Sequence, residues 1–201
     1  MPNLVLVTAP TVEPLEVDEV KAHLRVDFPD DDQLIKSQMR VAREYVENTI
    51  DYALLPQVYD QFWDAFPTSA KDWLELGKFP ATAVTWVKYT DSAGNVNTWT
   101  GTPLPYVFDP NGYPKPRLMP AFGQLWPSTT LQPIAAVNVR FAAGFPDALS
   151  VPFLLKHAQK MLIAAWYENR ADVEVDTRLR AVLIPRAVDD ILSKFGEMYV
   201  A

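Results

Sequence analysis

The chain has 201 residues, 49% of them apolar and 21% charged, the composition of a folded protein with a sizeable core. Its net charge of −7 argues against a protein that grips nucleic acid by its phosphates, and the lack of cysteine excludes disulfides, thiolate nucleophiles and Cys-ligated metals. No apolar run reaches the roughly 18 residues of a membrane span, and the start, Met-Pro-Asn-Leu-Val-Leu-Val-Thr, lacks the basic region of a signal peptide. The expectation is a protein made and used in the cytoplasm, or carried from there inside an assembly, with no membrane partner.

Residues 1–14, punctuated by Pro2, Pro10 and Pro14, read as an extended arm. Val17, Val20 and Leu24 then recur at helical spacing, with Asp18 and Glu19 in the first turn, where the helix dipole favours acids. After the acidic break Asp27-Phe-Pro-Asp-Asp-Asp32, a longer helix is predicted from about Gln33 to Ile50. Leu34, Ile35, Ala42, Tyr45, Val46 and Ile50 mark its buried face, and Lys36, Arg40, Arg43, Glu44 and Glu47 its wet one. Asp30, Asp31 and Asp32 read as an N-cap with dipole partners. Their spacing lacks the later glycine and glutamate of a calcium loop.

From Val58 the pattern changes to strands: 58–66, 73–76, 83–89, 96–100, 106–108, 117–119 and 135–141. Turn signals at Asp91–Asn95, Pro110–Gly112 and Ala143–Gly144 separate several of them. Ten of the 18 prolines lie between Pro103 and Pro152, which keeps this half out of helix. Pro152 then opens a helix over 152–169 that is apolar around most of its circumference. Leu154, Ala158, Met161, Leu162 and Ala165 form one face, widened by Leu155, Ile163 and Trp166, and Lys156, Lys160, Glu168 and Arg170 leave a narrow solvated strip. A stripe so broad calls for cover on more than one side, from the same chain or from neighbouring copies. A charged segment follows, and Pro185 opens a last amphipathic helix, 186–199, with Val188, Ile191, Leu192 and Phe195 on its apolar face.

The fold expected is α+β, a helical bundle with an inserted antiparallel β-sandwich-like domain. Its parts are a 1–14 arm, a helical core of 15–57 and 151–170, a β domain of 58–150, and a 171–201 C-terminal segment.

No catalytic constellation emerges. His23 and His157 sit on separate helices outside any ligand pair, and neither a phosphate-binding loop nor a Gly-x-Ser-x-Gly elbow occurs. Asp60, Asp64 and Asp109 lie on or beside strands, where a carboxylate pair for glycoside hydrolysis competes with a plain solvated face. Trp63, Trp73, Trp86, Trp99 and Trp126 are either a stacking platform or sheet core. No metal, cofactor or catalytic residue is assigned, and the chain reads as a structural part rather than an enzyme.

Several blocks, in order, resemble the tailed-phage head–tail connector (adaptor) family, which also occurs in prophages and gene-transfer agents. They are Val20-Lys-Ala-His-Leu-Arg-Val26 with the acidic break, Ala42-Arg-Glu-Tyr-Val-Glu47, Leu54-Leu-Pro-Gln57 with an aromatic strand after it, Phe122-Gly-Gln-Leu-Trp-Pro127, Val139-Arg-Phe-Ala-Ala-Gly-Phe145, Val151-Pro152 and Trp166-Tyr-Glu-Asn-Arg170. The likeness spans roughly 15–170, and the stretch after Ala171 departs most. The resemblance implies a homo-oligomeric ring, typically of twelve copies, under the portal protein of a virion or phage-like particle assembled in the bacterial cytoplasm. Such a ring extends the DNA channel without sequence-specific binding and offers a platform to a stopper or tail-terminator protein.

On that reading Leu154, Ala158, Met161, Leu162, Ala165 and Trp166 are the expected subunit interface. Val188, Ile191, Leu192 and Phe195 are the expected portal-binding stripe. The competing expectations are a stopper or tail-completion role, a carbohydrate- or protein-binding β module, and a small hydrolase using the aspartates.

Overall fold

A computed structural model describes residues 3–69, 71–112, 115–169 and 184–198. The fold is mixed α and β, with four helices and two antiparallel sheets among the described residues. The chain divides into two compact units. One comprises Met1–Pro10 and Pro56–Gly144, the other Thr11–Leu55 and Phe145–Ala201.

The first unit holds the strands β1 (Asn3–Thr8), β2 (Gln57–Trp63), β3 (Leu74–Glu75), β4 (Ala81–Thr90), β5 (Val96–Thr98), β6 (Tyr106–Asp109), β7 (Arg117–Pro120) and β8 (Val137–Ala143). They form a five-stranded sheet in the order β1-β2-β8-β4-β5 and a three-stranded sheet in the order β3-β7-β6. Alternation along β8 decides its two faces: Val137, Val139, Phe141 and Ala143 are buried, while Asn138, Arg140 and Ala142 face the other way. Phe141 stacks on Tyr59 of β2, and the aromatic cluster of Phe66, Trp99, Tyr106 and Trp126 closes the core. Gln61, also buried, donates to the Glu75 carbonyl and accepts from the Gly77 amide, so the middle of β2 ties to the segment at β3.

Seven of the eight strands fall where the sequence pattern places them. The exception is β1. The stretch expected as a free arm pairs antiparallel with β2, Asn3 opposite Phe62 and Leu6 opposite Tyr59. The turn at Gly112 needs glycine, because a Cβ there would stand 2.7 Å from the Lys115 carbonyl oxygen.

The second unit is built from α1 (Val17–Leu24), α2 (Asp32–Thr49), α3 (Phe153–Glu168) and α4 (Arg186–Met198). Val20, Ile35, Met39, Ala42, Val46, Leu155, Ala158, Leu162, Ile163, Val188, Leu192 and Phe195 make its core. Asp31 is the N-cap of α2, but its side chain makes no capping bond. It accepts instead from the Tyr167 hydroxyl of α3, while Asp32 binds Lys21 of α1 at 2.7 Å. Residues 170–183 and 199–201, which include most of the expected C-terminal segment, lie outside the described residues.

Arg43 and Glu47 are a correction. Expected on the wet face of α2, they are only 4% and 5% exposed. Arg43 Nη1 donates to Glu47 Oε2 and Arg43 Nε to Glu13 Oε2, both at 2.8 Å, and Glu47 Oε1 accepts the Leu54 amide at 2.8 Å. Two carboxylate partners make burial of that guanidinium tolerable, and the Leu54 amide satisfies the second oxygen of Glu47. Burial opposes the charge on Arg43, but the bonds and attraction from Glu13 and Glu47 outweigh it and raise its pKa above the ordinary arginine value.

Candidate assembly site

The residues expected to meet partners divide by burial. On α3 the buried side is centred on Leu155, Gln159 and Leu162. It is turned slightly from the expected face, because a helix apolar almost all round takes its orientation from the helices beside it. Ala158 and Leu162, expected in the subunit interface, are fully buried within the chain and present no free surface to a second copy. Leu154, Met161, Ala165 and Trp166 are half-buried. Lys156, expected on the solvated strip, is 8% exposed and sets its ammonium 5.9 Å from the Phe153 ring centroid.

On α4 the whole apolar stripe forms, but the chain covers most of it. Val188, Leu192 and Phe195 are buried, and Phe195 meets the Tyr52 ring edge-on at 5.3 Å. Ile191 is half-exposed. Packed in their own unit, Val188, Leu192 and Phe195 present no free surface to the portal expected to meet them.

The structure adds apolar side chains that periodicity passed over. Leu149 and Phe153, flanking the start of α3, are 87% and 84% exposed, and Phe122 is fully exposed on the loop after β7. That loop is held by Ala121 N–H to the Pro105 carbonyl, while Trp126 sits buried with its indole N–H on the Ser69 carbonyl. Phe122-Gly-Gln-Leu125 was visible as a block in the sequence, but nothing local shows which of its apolar residues face outward.

The chemical alternatives find separate structural settings. Asp60 is held two-pronged by Arg140, Asp64 accepts the Ala135 amide, and Asp109 pairs with Arg117. The tryptophans scatter: Trp99 and Trp126 pack in the β core, Trp73 lies under Arg117, and Trp86 lies between Lys88 and Arg140. Among the described residues no group of three or more His, Asp or Glu is placed to hold a metal, and no helix is long and apolar enough to cross a membrane.

Comparison with known proteins bears on this arrangement. Residues 14–76 match the family model of the phage gp6-like head–tail connector protein. That stretch contains α1, the acidic break, α2 and the Leu54–Gln57 block, so the resemblance read from the sequence is borne out there. No curated protein sequence matches the chain. Among solved structures, the chain is similar to one from the virion of a native gene transfer agent (GTA) particle. The two share 25% identity with a TM-score of 0.74, over 95% of this chain and 93% of that one. It is also similar to a chain in the neck of an empty GTA particle computed with C6 symmetry, at 24% identity and TM-score 0.75, over 96% and 94%. A chain in the neck of a native GTA particle computed with C12 symmetry matches at 23% identity and TM-score 0.68, over 95% and 94%. At those identities the two neck chains are likenesses of fold.

Proposed function

We propose that this chain is a structural head–tail connector of a tailed-phage-like particle, a subunit of a ring at the particle's neck. The observation that carries the reading is the fold match over both units, at 95% of this chain and 93% of the gene-transfer-agent chain, joined to the connector-family match at 14–76. The helices are the connector core and the two sheets a sandwich-like insertion. Twelve copies form the ring, in keeping with the C12 symmetry of one similar neck. The ring sits under the portal, lengthens the DNA channel and receives a stopper or tail-terminator protein. An acidic subunit, with net charge −7, suits a wall along which DNA slides without sticking.

Leu154, Met161, Ala165 and Trp166, half-exposed on α3, are the residues through which copies meet, extended by Leu149 and Phe153. Portal contact falls on surfaces other than Val188, Leu192 and Phe195; Ile191 is the member of that stripe still open to a partner. The scatter of the tryptophans speaks against a glycan platform, and the partners of Asp60, Asp64 and Asp109 speak against a hydrolase.

The test is the mass of the full chain, alone and mixed with the portal encoded beside it, by light scattering on a sizing column. A joint ring-sized species is expected. A monomer that ignores the portal would refute the adaptor role and favour the stopper role.

A further inference from the structure

The chain contains two histidines, and the helical unit brings them together although they lie far apart in sequence. The His23 ring on α1 and the His157 ring on α3 meet edge to face, with centroids 6.5 Å apart and planes at 80°. Around them, Lys160 of α3 binds Glu19 of α1 at 2.8 Å, and Lys156 of α3 acts on Glu19 through space. Towards α2, α1 presents Lys21, which is neutralised by Asp32. The α1–α3 seam therefore sets Lys160 and Lys156 against the Glu19 carboxylate, with Asp147 as a second carboxylate on Lys156, so a proton on an imidazole there adds an uncompensated charge. Helix α1 is lightly held: it has eight residues, and Val20 is its buried side chain.

We propose that His23, set edge to face against His157, forms an acid-operated latch, in which its protonation beside Lys160 drives α1 off α3. This inference rests on the packing of the helical unit and does not depend on the connector reading. The partial desolvation of the otherwise exposed His23, followed by repulsion from Lys160 and from His157, lowers its pKa below 6.5. A histidine that binds its proton less readily when docked favours the released form as pH falls through and below 6.5, and leaves docking intact above it. Two unit charges 6.5 Å apart in a water-like medium weigh the equilibrium by about threefold. Lys160 adds to that.

The experiment uses the full chain and follows two readouts. Two imidazoles give an easily assigned NMR titration, and amide exchange of residues 17–26, referenced to α2, reports the opening of α1. In the wild type, His23 should titrate below 6.5, and α1 should open at least about threefold more at pH 5 than at pH 7.5. His157→Asn should raise the His23 midpoint, and His23→Asn should remove most of the acid-induced opening. Both histidines are exposed, so the variants retain their fold. An unchanged His23 midpoint in His157→Asn would overturn the latch. So would an acid-induced opening that survives in the double variant.

Discussion

Arg43 and Glu47, one turn apart on α2, face each other at 2.8 Å with side chains only 5% and 6% exposed. The same guanidinium reaches Glu13, ahead of α1, and the same carboxylate holds the amide of Leu54, beyond the end of α2. A single buried ion pair thus pins the segments on either side of the two N-terminal helices. Glu47→Ala should cost about 2 kcal/mol or more, because it leaves the buried Arg43 with Glu13 as its carboxylate partner and the Leu54 amide without its acceptor. Urea unfolding followed by helical circular dichroism checks this. A loss near zero would mean that water reaches the cluster.

Phe195 gives the clearest test of what α4 does. Packed against Tyr52 and fully buried, it belongs to the core of the helical unit. Phe195→Ala should destabilise the isolated subunit by about 3 kcal/mol before any partner is added. Unchanged stability together with lost portal binding would return Phe195 to a docking surface.

Two positions on α3, about two turns apart, should behave differently from a third. Leu154→Asp and Met161→Asp fall on half-exposed sites and should leave a folded monomer that no longer assembles, if copies meet there. Leu162→Asp buries a charge at a fully enclosed site and should abolish folding of the helical unit. Circular dichroism combined with sizing separates the outcomes. Normal particles from Leu154→Asp and Met161→Asp would place the subunit contact elsewhere.

The acid limb of stability should reflect carboxylates that bind protons more weakly when folded. The hydrogen bond from Lys160 lowers the Glu19 pKa, and bonds from Ser150 lower that of Asp147. Each therefore contributes stability that is present above its unfolded pKa and lost as pH falls through the lowered folded value. Unfolding measured across pH 3–6 should grow less favourable to the native state toward acid. The slope should flatten in Lys160→Met, because Glu19 then loses its main partner. An unaltered slope would show that the pair is too well solvated to matter.

Periodicity and turn chemistry were enough to place four helices and seven strands, because both are local: 3.6-residue spacing, alternation, proline and glycine act within a few residues. The ordered blocks from Val20 to Gln57 likewise lie within the stretch that matches the connector family. Strand β1 was beyond such reasoning. A short apolar run between prolines looks like an arm until β2, far along the chain, supplies its hydrogen bonds.

Which faces are covered was also a tertiary decision. The apolar stripe of α4 is plain in the sequence, yet only packing shows that Val188, Leu192 and Phe195 are enclosed by their own unit. Arg43 and Glu47 look solvated in any one-dimensional pattern, and Glu13 with the Leu54 amide makes their burial possible. His23 and His157 are isolated residues in the sequence and a pair in the fold. The sequence by itself determined where the four helices and seven of the strands lie, and which side of most of them is apolar. The tertiary structure decided what each apolar or charged side meets, because burial and pairing depend on residues that local spacing does not link.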